Sequence, residues 1–265
     1  MIDALVTTVD GRDVEFAQAG TGPDLVLLPS LLTELTVFER VAPLLAANRR
    51  ITCLNLPGYG ASAPRELGSV ADHADHVAAA IAALGLAPPV DLFGNGFGAF
   101  VALQVAIRHG PQLARLLVAD VVPAFPEPAR VPFRTMAEKV RAGGMQAVLD
   151  TAIGRMFPPA FQAAEPTTVQ QRKRRLATAD VECFARACLA LAELDLAPLL
   201  PRIGNRTLVL CGALDQTTPP TLAREVADAI AGAVFVEIAD SGHCPMLEQP
   251  QALAAAVQTF LGATA

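Results

Sequence analysis

The sequence predicts an α/β fold in which a mostly parallel sheet of about eight strands carries helices on both faces. Apolar runs of strand length alternate along the chain with longer segments of helical period, which is the order that builds a parallel sheet with crossover helices. The hydrophobic content of 52%, with only 17% charged residues, is sufficient to bury such a sheet on both faces. Composition and alternation therefore indicate the same fold class.

The first half of the chain shows this alternation without interruption. A hairpin of two strands around Asp10-Gly11 comes first, and Leu25 to Leu28 then forms a continuous apolar strand of the kind buried on both faces. Proline and glycine mark the joints of the elements that follow. The predicted elements besides Leu25 to Leu28 are strands Ala4 to Val9, Val14 to Ala19, Ile51 to Asn55, Val90 to Phe93 and Leu116 to Val122, and helices Thr36 to Ala47, Val70 to Leu84 and Phe97 to Arg108.

Residues 124–200 break the alternation, because prolines crowd their beginning and no strand signal returns before Thr207. Helical periods separated by proline turns predict a helical cap over the carboxyl edge of the sheet. The expected organisation is a core of residues 1–123 and 201–265 with a cap of residues 124–200. The last part of the chain returns to strand Leu208 to Leu210, helix Leu222 to Ala231, strand Val234 to Ile238 and helix Ala252 to Leu261.

Charge and composition exclude several function classes. A formal charge of −6 argues against a nucleic-acid surface, so a small molecule is the expected partner. No stretch approaches the roughly 20 apolar residues of a membrane span, and the start of the chain lacks the pattern of a signal peptide, so we expect a cytoplasmic protein. The five cysteines lie in apolar segments without metal-ligand spacing, which predicts reduced thiols, no metal site and no cofactor. The sequence leaves the oligomeric state open.

The turn after the strand Val90 to Phe93 is the most informative motif. Gly94-Asn95-Gly96-Phe97-Gly98 connects that strand directly to a helix, which is the context of a nucleophile elbow. Such a turn needs small flanking residues, and its middle residue has φ > 0 and faces the pocket. The middle residue is Gly96, so the turn has no side chain to act as nucleophile.

Two later segments supply an acid and a base. Asp215 follows one predicted strand in Gly212-Ala213-Leu214-Asp215, and His243 follows another in Asp240-Ser241-Gly242-His243. The order elbow, acid, histidine is that of α/β-hydrolases. The sequence resembles this superfamily along its whole length, including the run from Asn55 to Ser62 and Glu248-Gln249-Pro250. Its cap resembles that of 3-oxoadipate enol-lactonases, in the segments Arg141 to Met145, Met156-Phe157 and Asp195 to Ile203.

The resemblance implies further site residues. By position, the backbone N–H groups of Leu31 and Phe97 are the donors that would hold a developing oxyanion. Asp120 is an alternative acid in a place that some hydrolases use. The expected substrate contacts are Ser30, Asn95, Phe125, Met136 and Phe157, and a carboxylate-bearing substrate would give Arg134, Arg155 or the run Arg172 to Arg175 a steering role.

The leading hypothesis is hydrolysis of a small ester, lactone or enol substrate, with the His243–Asp215 pair as general base activating water in place of a serine. Two alternatives stay open. The same pair could transfer a proton in lyase or isomerase chemistry, which needs no nucleophile. The chain could also be an inactive ligand-binding member of the fold, since the N-myc downstream-regulated family resembles it in having glycine at the elbow.

Other polar residues have simpler interpretations. His73 and His76 are expected on a solvated face of the helix that begins at Val70. The run Arg172 to Arg175 is likewise typical of a solvated helix face. His109, in the last turn of a helix before Gly110, has a structural interpretation as a cation at the helix carboxyl end.

Overall fold

The computed structural model describes residues 4–262, so Met1 to Asp3 of the amino terminus considered above lie outside the described residues. An eight-stranded sheet in the order β1-β2-β4-β3-β5-β6-β7-β8 forms its centre. The β1–β2 and β2–β4 pairs are antiparallel and the others are parallel, which confirms the predicted fold class. The strands are β1 (Ala4–Val9), β2 (Arg12–Ala19), β3 (Asp24–Leu28), β4 (Arg50–Leu54), β5 (Val90–Asn95), β6 (Leu113–Ala119), β7 (Arg206–Gly212) and β8 (Val234–Ile238).

Helices cover the sheet and fill the interval between β6 and β7. Those within the predicted core are α1 (Ala42–Leu45), α2 (Val70–Ala83), α3 (Phe97–His109), α9 (Pro220–Ala229), α10 (Pro245–Glu248) and α11 (Pro250–Gly262). The interval contains α4 (Glu127–Gly143), α5 (Leu149–Met156), α6 (Pro159–Ala164), α7 (Pro166–Leu176) and α8 (Val181–Ala192). We propose that this interval acts as one cap, as its helical periods predict.

The predicted helix from Thr36 to Ala47 is wrong as a continuous element. The segment forms a 3-10 turn, Leu35–Phe38, and then the four-residue helix α1. The Glu34 carboxylate accepts a hydrogen bond from the Thr36 N–H and so caps the start of the 3-10 turn. Pro43 has no N–H with which to continue that turn as a helix, and it lies instead in the first turn of α1. The strand predicted at Leu116 to Val122 is β6, which begins and ends three residues earlier.

His73 and His76 are buried, with 4% and 6% of their surface exposed, so their assignment to a solvated face is wrong. His73 lies three residues after Val70 and four before Val77, on the apolar stripe by which α2 packs on its neighbours. Its ring meets the ring of Phe97 edge to face at a centroid distance of 4.9 Å. Burial, and the charge of His76 next, lower the pKa of His73 to about 4.

Arg172 also departs from its expected place, because it is 1% exposed and ties the helix α7 to the core. Its guanidinium lies 3.4 Å from the Glu34 carboxylate and donates a 3.0 Å hydrogen bond to the Thr36 hydroxyl. The stem of an arginine buries as readily as an apolar side chain when its charged end meets a carboxylate. Only the tertiary contact with Glu34 therefore explains why this one member of the basic run is buried.

No helix within residues 4–262 is long and apolar enough to cross a membrane. The cytoplasmic location stays a prediction.

Candidate active site

The loops at the carboxyl ends of five strands meet at one edge of the sheet. Ser30 follows β3, Gly96 follows β5, Asp120 follows β6, Asp215 follows β7 and His243 follows β8. Because β3, β5, β6, β7 and β8 are parallel neighbours in the sheet, their carboxyl ends lie side by side. This is where open α/β sheets bind ligands.

Asp215 and His243 form a buried hydrogen-bonded pair. His243 Nδ1 lies 2.7 Å from Asp215 Oδ2, and the two side chains are 6% and 0% exposed. Burial alone would lower the pKa of His243, but the charge of Asp215 and its hydrogen bond raise that pKa above its ordinary value. A proton on Nδ1 facing the carboxylate leaves the Nε2 lone pair free to act as a base.

The turn after β7 orients the Asp215 carboxylate. The N–H groups of Thr217 and Thr218 donate hydrogen bonds of 2.7 and 3.1 Å to Oδ1, and the Thr218 hydroxyl donates one to Oδ2. Burial works against ionisation here, yet the His243 charge and these hydrogen bonds lower the pKa of Asp215. Sequence reasoning missed Thr218, although an Asp followed two or three residues later by Thr is the signature of an Asx turn.

The histidine loop is held from the core and from the cap. Glu248 accepts hydrogen bonds from the N–H groups of Gly242 and Cys244 at 2.8 and 2.9 Å. The His243 N–H donates to the Met156 carbonyl of α5 at 3.1 Å. From the sequence, Glu248-Gln249-Pro250 is only a family feature. In the structure its glutamate positions the loop that carries His243.

Gly96 has the backbone of an elbow, with φ 51° and ψ −118°. Other side chains lie close to the Gly96 Cα. A Cβ placed on Gly96 would lie within 3.0 Å of the Ser30 hydroxyl, and 2.9 Å from both Ser30 Cβ and His243 Nε2. The Ser30 side chain thus occupies much of the space in which a side chain at position 96 would lie, because β3 and β5 are adjacent.

The expected oxyanion donors are available for hydrogen bonding. In the described part of the chain the N–H groups of Leu31 and Phe97 have no hydrogen-bond acceptor. The loop around them is fixed, since Thr33 exchanges hydrogen bonds with the Ser30 backbone and Tyr59 donates a 2.7 Å bond to the Leu31 carbonyl. Donors that are fixed before charge develops are what an oxyanion site requires.

A small cavity opens above Gly96 and His243. Ser30, Leu31 and the first residue of α3, Phe97, form its floor, and Phe133, Met136 and Leu191 from α4 and α8 form its roof, with Phe125 beside them. The volume open to water is ≈ 20 Å³, about that of one water molecule by this measure. Of the predicted substrate contacts, Ser30, Phe125 and Met136 line this cavity.

Asn95 and Phe157 lie elsewhere. The Asn95 amide donates to Asp120 at 2.6 Å and to the His243 carbonyl at 3.2 Å. Phe157 stacks on Phe161 and lines a separate cleft of ≈ 610 Å³ on the outer side of the Asp215 loop. Asp120 accepts a hydrogen bond from the Gly212 N–H and makes none with His243, and burial followed by the Asp215 charge raises its pKa far above the ordinary range. Through these hydrogen bonds Asp120 joins β5 to β7, and the acid that meets His243 is Asp215.

Of the arginines named from the sequence, Arg155 alone lines the cavity. Arg134 lies outside it and pairs with Glu127 and Glu193 at 2.5 and 3.0 Å. Arg155 has no ion pair within residues 4–262, and its guanidinium lies 5.0 Å from the centre of the Phe133 ring. Burial lowers its pKa. Arg155 also lines the outer cleft, so it lies at the boundary between cleft and cavity.

Known proteins similar to this chain include lactone and ester hydrolases. The chain is 27% identical over 259 residues to 3-oxoadipate enol-lactonase 2 of Acinetobacter baylyi, covering 96% of each. Its structure superimposes on the enol-lactonase from Burkholderia xenovorans with a TM-score of 0.91 at 26% identity, covering 98% of this chain and 100% of that one. A malate-bound esterase from Thermogutta terrifontis gives 0.90 at 26%, covering 98% of both. Residues 25–256 match the sequence profile of the alpha/beta hydrolase family, and the chain belongs to that family.

Proposed function

We propose that this protein hydrolyses a small carboxylate-bearing ester or lactone, and that a water molecule activated by His243 makes the attack. The observation that carries the proposal is the 2.7 Å bond between Asp215 and His243, with the far nitrogen of the imidazole beside a glycine elbow. The family and the names of the similar proteins support ester or lactone hydrolysis as the reaction class.

The proposed reaction has two stages. His243 Nε2 takes a proton from water while the water oxygen bonds to the carbonyl carbon, and Asp215 stabilises the imidazolium that forms. The carbonyl oxygen becomes negative and receives hydrogen bonds from the N–H groups of Leu31 and Phe97. When the intermediate collapses, the bond to the leaving oxygen breaks and that oxygen takes the proton from His243. A lactone would give one ring-opened acid, and an ester would give an acid and an alcohol.

Arg155 supports a carboxylate on the substrate. A half-buried guanidinium that lacks an ion pair within residues 4–262 gains a strong, bidentate partner when a carboxylate enters. The relative from Acinetobacter baylyi is named for an oxoadipate lactone, and the esterase from Thermogutta terrifontis has malate bound. Both names fit recognition of an acidic substrate.

The cavity implies that its lining moves when substrate binds. A volume of ≈ 20 Å³ holds one water but no ester, so the side chains of the roof have to make room for the substrate. The ≈ 610 Å³ outer cleft meets the cavity at Arg155 and His243. We propose that the substrate approaches through this cleft, with its carboxylate directed by Arg155.

The test is hydrolysis of matched pairs: monomethyl esters of four- to six-carbon dicarboxylic acids against their neutral dimethyl esters, together with simple lactones. We expect acid release with a preference for the monoesters, and labelled oxygen from water in the acid product. His243→Ala should lower kcat by about 10² to 10⁴. Arg155→Met should remove the preference for monoesters, and Arg134→Met, on the same cap but paired outside the cavity, should preserve it.

Other outcomes would favour the alternative functions. A change in the ultraviolet spectrum of an unsaturated lactone without acid release would favour proton-transfer chemistry. Binding of the monoesters without turnover would favour a ligand-binding protein. Stoichiometric labelling of any side chain by an organophosphonate, with loss of activity, would exclude direct attack by water.

A further inference from the structure

We infer that the Ser30 hydroxyl is a catalytic group that holds the attacking water against His243, and so does part of the work of the missing elbow side chain. The inference rests on the proposed function and adds a residue to it. The similarity to other hydrolases assigns no such role to this serine.

The first step is the distance between the two groups that would hold the water. Ser30 Oγ and His243 Nε2 both lie within 3.0 Å of one point, the position of a Cβ on Gly96, and are therefore less than about 6 Å apart. They make no hydrogen bond with each other. A water that donates one hydrogen to each group spans about 4.4 to 4.9 Å between them, since each bond is about 2.8 to 3.0 Å long and the two meet at a near-tetrahedral angle. That span lies within the limit set by the common point, so one water can bridge the pair.

The second step is that the Ser30 hydroxyl is available for hydrogen bonding, whereas the Ser30 backbone is fixed by hydrogen bonds. Ser30 is 3% exposed and lines the cavity, and its hydroxyl has no hydrogen bond within the described residues. The Ser30 N–H donates to the Thr33 hydroxyl at 3.1 Å, and Thr33 donates back to the Ser30 carbonyl. The fixed backbone holds the hydroxyl beside the elbow, within 3.0 Å of the position of a Cβ on Gly96.

The third step is the chemistry. A water that donates one hydrogen to Nε2 and the other to Ser30 Oγ has a lone pair directed toward the substrate carbonyl. Ser30 directly precedes Leu31, whose N–H is a proposed oxyanion donor, so the nucleophile and the developing charge are held by adjacent residues of one fixed loop. Ser30 itself stays uncharged and forms no covalent bond, because the proton passes from the water to His243.

The test uses the whole chain and the monomethyl dicarboxylates named above. Ser30→Ala should lower kcat by about 10- to 100-fold, the loss expected from one hydrogen bond to a reacting atom, with KM changed less than about threefold. The ascending limb of the pH profile should stay in place, because Asp215 and not Ser30 sets the pKa of His243. Ser30→Thr keeps the hydroxyl and should recover much of the rate. Ser62→Ala removes a buried serine whose hydroxyl bonds to Asn55 in the core, and should leave kcat unchanged.

A high-resolution crystal structure provides a second readout that does not depend on turnover. We expect a water within hydrogen-bond distance of both Ser30 Oγ and His243 Nε2, and its loss in Ser30→Ala. Absence of that water in the wild type, an unchanged kcat in Ser30→Ala, or an acyl group found on Ser30 by rapid quenching and mass spectrometry would each overturn the inference. If the wild type hydrolyses no ester or lactone, the proposed function fails, whereas a normal Ser30→Ala in an active enzyme refutes only the role of Ser30.

Discussion

Substitution of Gly96 tests how closely the site is built around the absence of a side chain. Gly96→Ala adds one methyl group at a backbone of φ 51° and ψ −118°, which costs about 1 to 3 kcal/mol in a non-glycine residue. The new Cβ would also overlap Ser30 and His243 Nε2, and overpacking of this kind costs about 1 to 3 kcal/mol more. We therefore expect a loss of about 2 to 6 kcal/mol in the free energy of unfolding.

Gly85→Ala is the matched control. Gly85 also has a positive φ, of 64°, but a Cβ there would meet nothing within 4 Å. The difference between the two variants in urea denaturation measures the overlap together with the strain of the ψ of −118° at Gly96. In thermal unfolding, Gly96→Ala should lower Tm by roughly 4 to 24 °C, because 1 kcal/mol corresponds to about 2 to 4 °C in a protein near this size.

Removal of Ser30 should relieve the overlap. The double variant Gly96→Ala with Ser30→Gly should recover about 1 to 2 kcal/mol relative to Gly96→Ala. The recovery is partial because the new glycine at position 30 raises the entropy of the unfolded chain. In the same way, Gly96→Ser should bind an organophosphonate better when combined with Ser30→Gly, because only then does the new hydroxyl have room beside His243. A Gly96→Ser protein as stable as the wild type, with rapid acyl-enzyme formation, would refute this account of the space around Gly96.

Three further predictions follow from the titrating and buried charges. The kcat/KM for ester hydrolysis should rise with pH through a pKa above 6.5, and Asp215→Asn should move that limb to lower pH and reduce kcat about 10²- to 10⁴-fold, because the carboxylate holds the pKa of His243 up. His73 has a pKa of about 4 when folded, so the unfolded chain binds its extra proton between pH 6.5 and 4, and His73 contributes a loss of roughly 3 kcal/mol of stability as the pH falls through that range. His73→Leu should remove this part of the pH dependence in denaturation curves, and the part due to His76, whose pKa is also about 4, should remain. Arg172→Met leaves the Glu34 carboxylate buried without its cation and should cost about 3 to 5 kcal/mol, whereas Arg174→Met on the exposed face of α7 should be near neutral in the same assay.

The sequence by itself determined the fold class and placed the candidate catalytic residues at one edge of the sheet. Alternating strand and helix periods require a parallel sheet, and parallel strands present their carboxyl ends at one edge, so Gly96, Asp215 and His243 had to converge once their strands were identified. The glycines at positions 94, 96 and 98, between a strand and a helix, likewise indicated the elbow from sequence alone. These features depend on short-range patterns, which a single sequence contains in full.

Only the tertiary structure decided what surrounds those positions. Ser30 lies beside Gly96 because β3 and β5 are neighbours in the sheet, and neither loop reveals the other in sequence. His73 is buried and Arg172 meets Glu34 for the same reason: the burial of a polar side chain depends on the element packed against it, which can lie more than a hundred residues away. Periodicity identifies the buried face of a helix, but the partner of a buried charge is set by packing.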